Sequence, residues 1–382
     1  MTEGEGLDSQ RRFLHSGSTA ARRTETVVTH VMAWSRLVVA LLTLTACSSG
    51  AAEIADAGDA SFDASTDVVE AGSSLVLITD PDQGMSWFSS FIGTAKTSID
   101  MTMYELTDTS ITALLTTAVT NGVTVRVILD QNLEMMDNTP AYEALTAGGV
   151  SVHWANPNYA ATHQKTVTVD GATSAIMTMN LTPDDYPTSR DFAVITTDAA
   201  DVAAIETVFA ADFVNGSITP PTGDDLVWSP TNSQSALVGI IQGAQQSLDV
   251  ENEEMGDSTI VSALSSAASH GIAVHVIMED SRSYQSEFET LQAAGVALAM
   301  YEHAALYIHA KIIVADFGTA QAKAFLGSEN FTNPSLNENR ELGLITSDPA
   351  VITSLHGTLQ SDIDGGTPFV PYDGGFSDAA AD

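Results

Sequence analysis

The chain has 382 residues, enough for two or three domain-sized units, with 44% hydrophobic and only 16% charged residues. Its 13 Lys and Arg stand against 49 Asp and Glu, a formal net charge of −36, which repels polyanions and weighs against a nucleic-acid-binding surface. A single cysteine excludes an intrachain disulfide.

Residues 1–31 fit no export signal, whereas 32–36 form a short basic segment and 37–45 a nine-residue apolar run. That run has the proportions of a signal core and is too short to span a bilayer. Leu44-Thr45-Ala46-Cys47 resembles the lipobox of bacterial lipoproteins, in which the cysteine is acylated and becomes the mature N-terminus. This makes 1–47 a signal region, with Met32 a plausible true start. The product is then exported and lipid-anchored to the bacterial cell envelope through Cys47, with Ser48 pointing to the outer membrane. Residues 48–74, rich in Ala, Asp, Ser and Gly, read as a disordered tether. Five basic and four acidic residues precede Cys47, so the remainder carries eight cations against 45 carboxylates.

Beyond the tether the chain repeats itself. Thr97-Ser98-Ile99-Asp100-Met101 recurs as Gln246-Ser247-Leu248-Asp249-Val250, and the stretch 121–130 recurs as 270–279, both at an offset of 149. Apolar spacing predicts strands at 75–79, 99–104 and 123–129 and helices at 87–95 and 111–119. The second copy has helices at 236–245 and 260–268 and strands at 247–251 and 273–278. Strands alternating with helices argue an α/β fold of two homologous halves, each a mixed sheet flanked by helices and related by a pseudo-twofold. The halves are 75–214 and 226–362, with a Pro/Gly/Asp-rich linker at 215–225 and a flexible tail at 363–382. Residues 133–136 read as a loop or lid over the cleft.

Each half carries the pattern HxKxxxxD: His163, Lys165 and Asp170 in the first, His309, Lys311 and Asp316 in the second. One such pattern is a weak signal, but two at equivalent places in a repeat are strong. Gly327-Ser328-Glu329-Asn330-Phe331-Thr332 and Asn339-Arg340-Glu341 follow the second. Met177-Thr178-Met179-Asn180-Leu181-Thr182 and Ser189-Arg190-Asp191 follow the first. Lys165, Arg190, Lys311 and Arg340 are half of all the cations after Cys47. If 163–169 is a strand, two-residue alternation turns His163 and Lys165 to one face, and His309 and Lys311 likewise. About a pseudo-twofold the two pairs then meet in one cleft, where lysines and asparagines hold a phosphate and imidazoles supply nucleophile and acid. A carboxylate behind each imidazole would fix its tautomer; Asp170 and Asp316 are candidates, with Asp191 and Glu341 competing. Glu105 and Glu254 pair across the repeat and read as cleft-lining support, whereas Glu251 and Glu253 find no acidic counterpart. No ligand cluster repeats with metal spacing, so neither metal nor other cofactor is expected.

The duplicated HxKxxxxD with its GSxNFT and NRE segments resembles the phospholipase D superfamily, which includes phospholipases D, cardiolipin synthases and some nucleases. The resemblance covers about residues 75–362 and implies a two-step displacement through a phosphohistidine without metal. Carried over by position, His163 is the nucleophile and His309 the acid, while Lys165, Lys311, Asn180 and Asn330 hold the phosphate, with Thr178 and Ser328 beside them. The first copy departs from the pattern where Met177-Thr178 replaces Gly-Ser and Ser189 and Asp191 replace Asn and Glu. Scarcity of cations outside the motifs argues against nucleic acid as partner, and a membrane tether argues for phospholipid. The expectation is a monomeric phospholipase D-type hydrolase at a membrane surface; an endonuclease or a catalytically dead binding protein on the same scaffold are the alternatives.

Overall fold

The computed structural model describes residues 74–372; the expected lipobox cysteine Cys47 and all but the last residue of the tether lie outside them. β1 (Leu75–Asp80), α1 (Ser86–Gly93), β2 (Ser98–Met103), α2 (Thr109–Thr120), β3 (Thr124–Leu129), α3 (Met135–Ala147) and β4 (Ser151–Trp154) open the first half. β5 (Thr166–Val169), β6 (Thr173–Met177), β7 (Ser189–Thr196) and α4 (Ala199–Asp212) complete it. The second half repeats the order with β8 (Leu226–Ser229), α5 (Ser233–Gly243), β9 (Ser247–Asn252), α6 (Ser258–Ser269), β10 (Ala273–Glu279), α7 (Gln285–Ala293) and β11 (Ala297–Tyr301). It continues through β12 (Tyr307–Ile308), β13 (Lys311–Ala315), β14 (Lys323–Gly327), α8 (Asn333–Asn337), β15 (Glu341–Thr346), α9 (Pro349–Gly365) and β16 (Thr367–Pro368).

Each half is a mixed sheet, in the order β1-β7-β6-β5-β2-β3-β4 and β16-β11-β10-β9-β13-β14-β15-β8. β2, β3 and β4 run parallel, as do β9, β10 and β11, because helices cross over between them; the later strands are antiparallel meanders. Carboxylates serve local structure here. Asp108, Asp257, Asp198 and Asp348 each cap a helix by accepting from backbone N–H groups of its first turn. The outer face of each sheet packs its own helices through Phe88, Leu115 and Val127 in one half and Leu237, Leu264 and Val276 in the other. A third core joins the halves: Ile176, Phe192 and Val194 meet Trp228, Leu342 and Leu344, with Val208 of α4 and Leu355 of α9.

Two expectations change. The tail is not loose from 363: α9 runs to Gly365, β16 adds an edge strand to β11, and Phe369 is buried in the second core. Residues 133–136 are not wholly a loop either, because α3 begins at Met135, leaving Leu133, Met135 and Met136 exposed at its start. Among the described residues no helix is long and apolar enough to cross a membrane.

Candidate active site

The HxK segments are where the halves exchange chain. The regular strand begins only at Thr166, not at His163, because Thr162 pairs with Arg340 of the other half, and the Gln164 N–H donates to the Arg340 carbonyl. Symmetrically, β12 pairs with β7 at Tyr307–Ser189 and Ile308–Arg190, and the His309 N–H donates to the Arg190 carbonyl. Each histidine is thereby laid against the other half's β7 or β15, and its carboxylate comes from there. His163 Nδ1 lies 2.8 Å from Glu341 Oε2, and His309 Nδ1 2.8 Å from Asp191 Oδ1. An ionised carboxylate can only accept, so it places the ring proton on Nδ1 and leaves Nε2 to the cleft. Neither half alone supplies the carboxylate at Nδ1 of its own motif histidine.

Asp170 and Asp316 do not fill that role. Each follows the strand at φ 55° and 54° and turns its carboxylate onto backbone N–H groups at the start of the neighbouring strand. Asp170 accepts from Lys96, Thr97 and Ser98, and Asp316 from Gln245, Gln246 and Ser247. Seven residues of extended chain separate each from its histidine, on the order of 20 Å. Slight burial works against the charged form of Asp170, but those N–H donors hold it below the usual carboxylate range. Thr178 and Ser328 also differ from expectation. Both are fully buried. The Thr178 hydroxyl donates to Asp191 at 2.5 Å, and Ser328 Oγ accepts from the Leu342 N–H, so they brace β7 and β15 from behind the cleft. Ser328 also sets its carbonyl 3.1 Å from His163 Nδ1.

The four motif cations divide by task. Lys165 and Lys311 are fully buried at the cleft floor, each donating to the carbonyl of its own motif histidine. Arg190 and Arg340 instead lock the halves together. Arg190 grips Asp362 of α9 through two nitrogens at 2.7 and 3.0 Å. Arg340 Nε lies 2.8 Å from Asp212 of α4, its guanidinium stacked 4.4 Å from the Tyr159 ring.

Burial, and then the neighbouring Lys165 ammonium, push His163 down to about 4, leaving it neutral at neutral pH. Burial and then Lys311 push Lys165 down to about 7, the state of a cation awaiting an anion. Burial raises Glu341, but His163 and Lys165 outweigh it and hold the carboxylate below its usual range. Glu105 and Glu254 flank the cleft without touching either histidine, both raised to about 7, chiefly by burial. Asn180 lines a small pocket with Ser189, Asp191 and His309. The Oδ1 atoms of Asn180 and Asn330 are buried without a partner. Among the described residues no His/Cys/Asp/Glu cluster is arranged to hold a metal.

Two further cleft residues carry no signal that repeats in both halves. Tyr104 packs edge-on against His163 at 4.5 Å and lies under Lys165 at 4.7 Å. Its repeat counterpart Glu253 reaches Lys311 at 2.9 Å. Because the two are unlike, a search for residues kept in both halves passes over them.

A family described as "Cardiolipin synthase, PLD-like domain" matches twice, at residues 88–213 and 237–363. No curated protein sequence matches the chain. Among solved structures, polyphosphate kinase from Porphyromonas gingivalis is similar with a TM-score of 0.61 at 15% identity, over 76% of this chain and 50% of that one. The chain thus spans half the length of that kinase. Phosphatidylserine synthase from Haemophilus influenzae Rd KW20 gives a TM-score of 0.59 at 13% identity, over 78% of this chain and 87% of that one. At such identities these structures speak for the fold alone. The family match covers more than half of the chain and takes in both HxK pairs, so the chain belongs to the phospholipase D superfamily.

Proposed function

We propose that the chain is a phospholipase D-type phosphodiesterase that releases the headgroup of a phospholipid through a phosphohistidine. The observation that carries this reading is the crossed pairing of His163 with Glu341 and His309 with Asp191 around two buried lysines. Neutral His163 attacks phosphorus through Nε2, the P–N bond forms, and the bond to the headgroup oxygen breaks while His309 delivers its proton to that oxygen. Lys165, Lys311, Asn180 and Asn330 offset charge on the non-bridging oxygens. Water, giving its proton to His309, then attacks phosphorus; the P–N bond breaks, releasing phosphatidate and restoring His163. An alcohol in place of water gives transfer instead of hydrolysis.

Lipid as substrate is supported by the cation count, which leaves little to track a nucleic-acid backbone. It is also supported by Leu133, Met135 and Met136, exposed beside Glu134, whose carboxylate accepts from the Tyr104 hydroxyl next to His163. Acylation at Cys47 would hold the enzyme at a membrane and raise the local concentration of headgroups. The test is headgroup release from phosphatidylcholine and phosphatidylethanolamine vesicles, run beside cleavage of single- and double-stranded DNA at low salt. Faster DNA cleavage than release from any phospholipid would put a nuclease in place of this reading.

A further inference from the structure

Glu253 stands where the second half's phosphate contacts converge. Its Oε2 lies 2.9 Å from Lys311 Nζ, 3.0 Å from Asn330 Nδ2 and 3.6 Å from His309 Nε2. Its Oε1 accepts from the Tyr307 hydroxyl at 2.7 Å. The three groups around Oε2 are those assigned above to a phosphoryl oxygen and the leaving group. The side chain keeps 21% of its surface exposed, so it faces the cleft. The first half has nothing equivalent: Tyr104 takes the position, and among the described residues Lys165 forms no ion pair, only its bond to the His163 carbonyl and its place over the ring.

We infer that Glu253 is a specificity-determining residue whose carboxylate holds one oxyanion position of the shared site and thereby selects a singly charged phosphodiester over a doubly charged phosphate group. The Lys311 charge is already compensated, so an entering anion is held by Lys165, which takes up a proton as the anion binds where the pH exceeds its value of about 7. A diester brings one negative charge; a monoester or free phosphate at about pH 8 brings nearly two, and the second is repelled by a fixed carboxylate a few ångströms away. At an intermediate effective dielectric that repulsion is worth on the order of tenfold or more in affinity. Glu253 does not escape by taking up a proton, since Lys311 and His309 outweigh its burial and hold it well below the usual range. The discrimination suits the chemistry. The substrate is a diester and the product phosphatidate a monoester, so the same residue that tolerates the first helps to expel the second.

The inference rests on the phosphate contacts of the proposed function, but its test needs no turnover. Inorganic phosphate and dimethyl phosphate are titrated calorimetrically into the full chain and into Glu253→Gln at about pH 8. The ratio of phosphate to dimethyl phosphate affinity is expected to rise about tenfold or more in the variant. Glu253→Tyr, which installs the residue the first half already accommodates, should move it the same way and serves if the Gln variant does not fold. An unchanged ratio in a folded variant overturns the inference. Absence of phospholipid cleavage would instead count against the proposed function and leave this result standing.

Discussion

Replacing Glu341 by Gln removes one charge and almost no volume from behind His163. The carboxylate is fully buried, 2.8 Å from Nδ1, and is held in place by the Ser335 hydroxyl at 2.6 Å and the Asn339 amide at 2.9 Å. A hydrogen bond to a buried charged group contributes about 1.5–3 kcal/mol, which is roughly ten- to a hundredfold in the step it serves. The amide can also turn its NH2 toward Nδ1, forcing the ring proton onto Nε2 and removing the attacking lone pair. The expected result is a fall in kcat of about 10²–10³ with KM little changed. Asp191→Asn should cost a similar factor through His309, although Asp191 lies in the first half. A 4-nitrophenyl phosphodiester separates the two, since its leaving group hardly needs a proton. Asp191→Asn should recover most of its rate on that substrate, and Glu341→Gln should not. The reasoning fails if Glu341→Gln stays within about threefold of the parent, or if both variants respond alike to the leaving group.

The pH profile follows from the two depressed bases. With His163 near 4 and Lys165 near 7, kcat/KM should hold between them. It should fall on the acid side as His163 gains a proton, and above about 7 as Lys165 loses the charge that holds the phosphate. Lys165→Arg, slower but always charged, should lose the alkaline limb, and a flat parental profile from pH 7 to 9 would contradict the assignment. Asp170→Asn and Asp316→Asn should leave kcat/KM unchanged while lowering Tm, by about 2–4 °C per kcal/mol lost. Thermal denaturation beside steady-state kinetics checks both.

The repeat made the architecture legible. Histidines, lysines, asparagines and arginines recur at offsets of 146 to 150, and a duplicated polar pattern on alternating apolar strands has few other readings. What misled was closeness along the chain. Asp170 and Asp316 complete the motif, yet extended chain carries them to the far end of the strand, where a left-handed turn clamps a neighbouring loop. The carboxylates that meet the histidines come from the opposite half, 178 residues away for His163 and Glu341 and 118 for His309 and Asp191, and only packing reveals that exchange. Arg190 and Arg340 stood out as supporting residues because cations are scarce elsewhere after Cys47. They recur because each half needs one to reach the partner's last helix. Glu253 was set aside for the opposite reason: its counterpart is Tyr104, and a criterion built on sameness discounts the place where the halves differ.

The central claim is that both halves build one site in which His163 takes the phosphoryl group. The measurement that tests it most directly is peptide mass spectrometry of the intermediate trapped in His309→Ala with a 4-nitrophenyl phosphodiester. That variant still holds His163 and its Glu341 partner but lacks the acid. A phosphoryl adduct on His163 is the expected result. An adduct on His309 in the converse His163→Ala protein, with none on His163, would contradict the account.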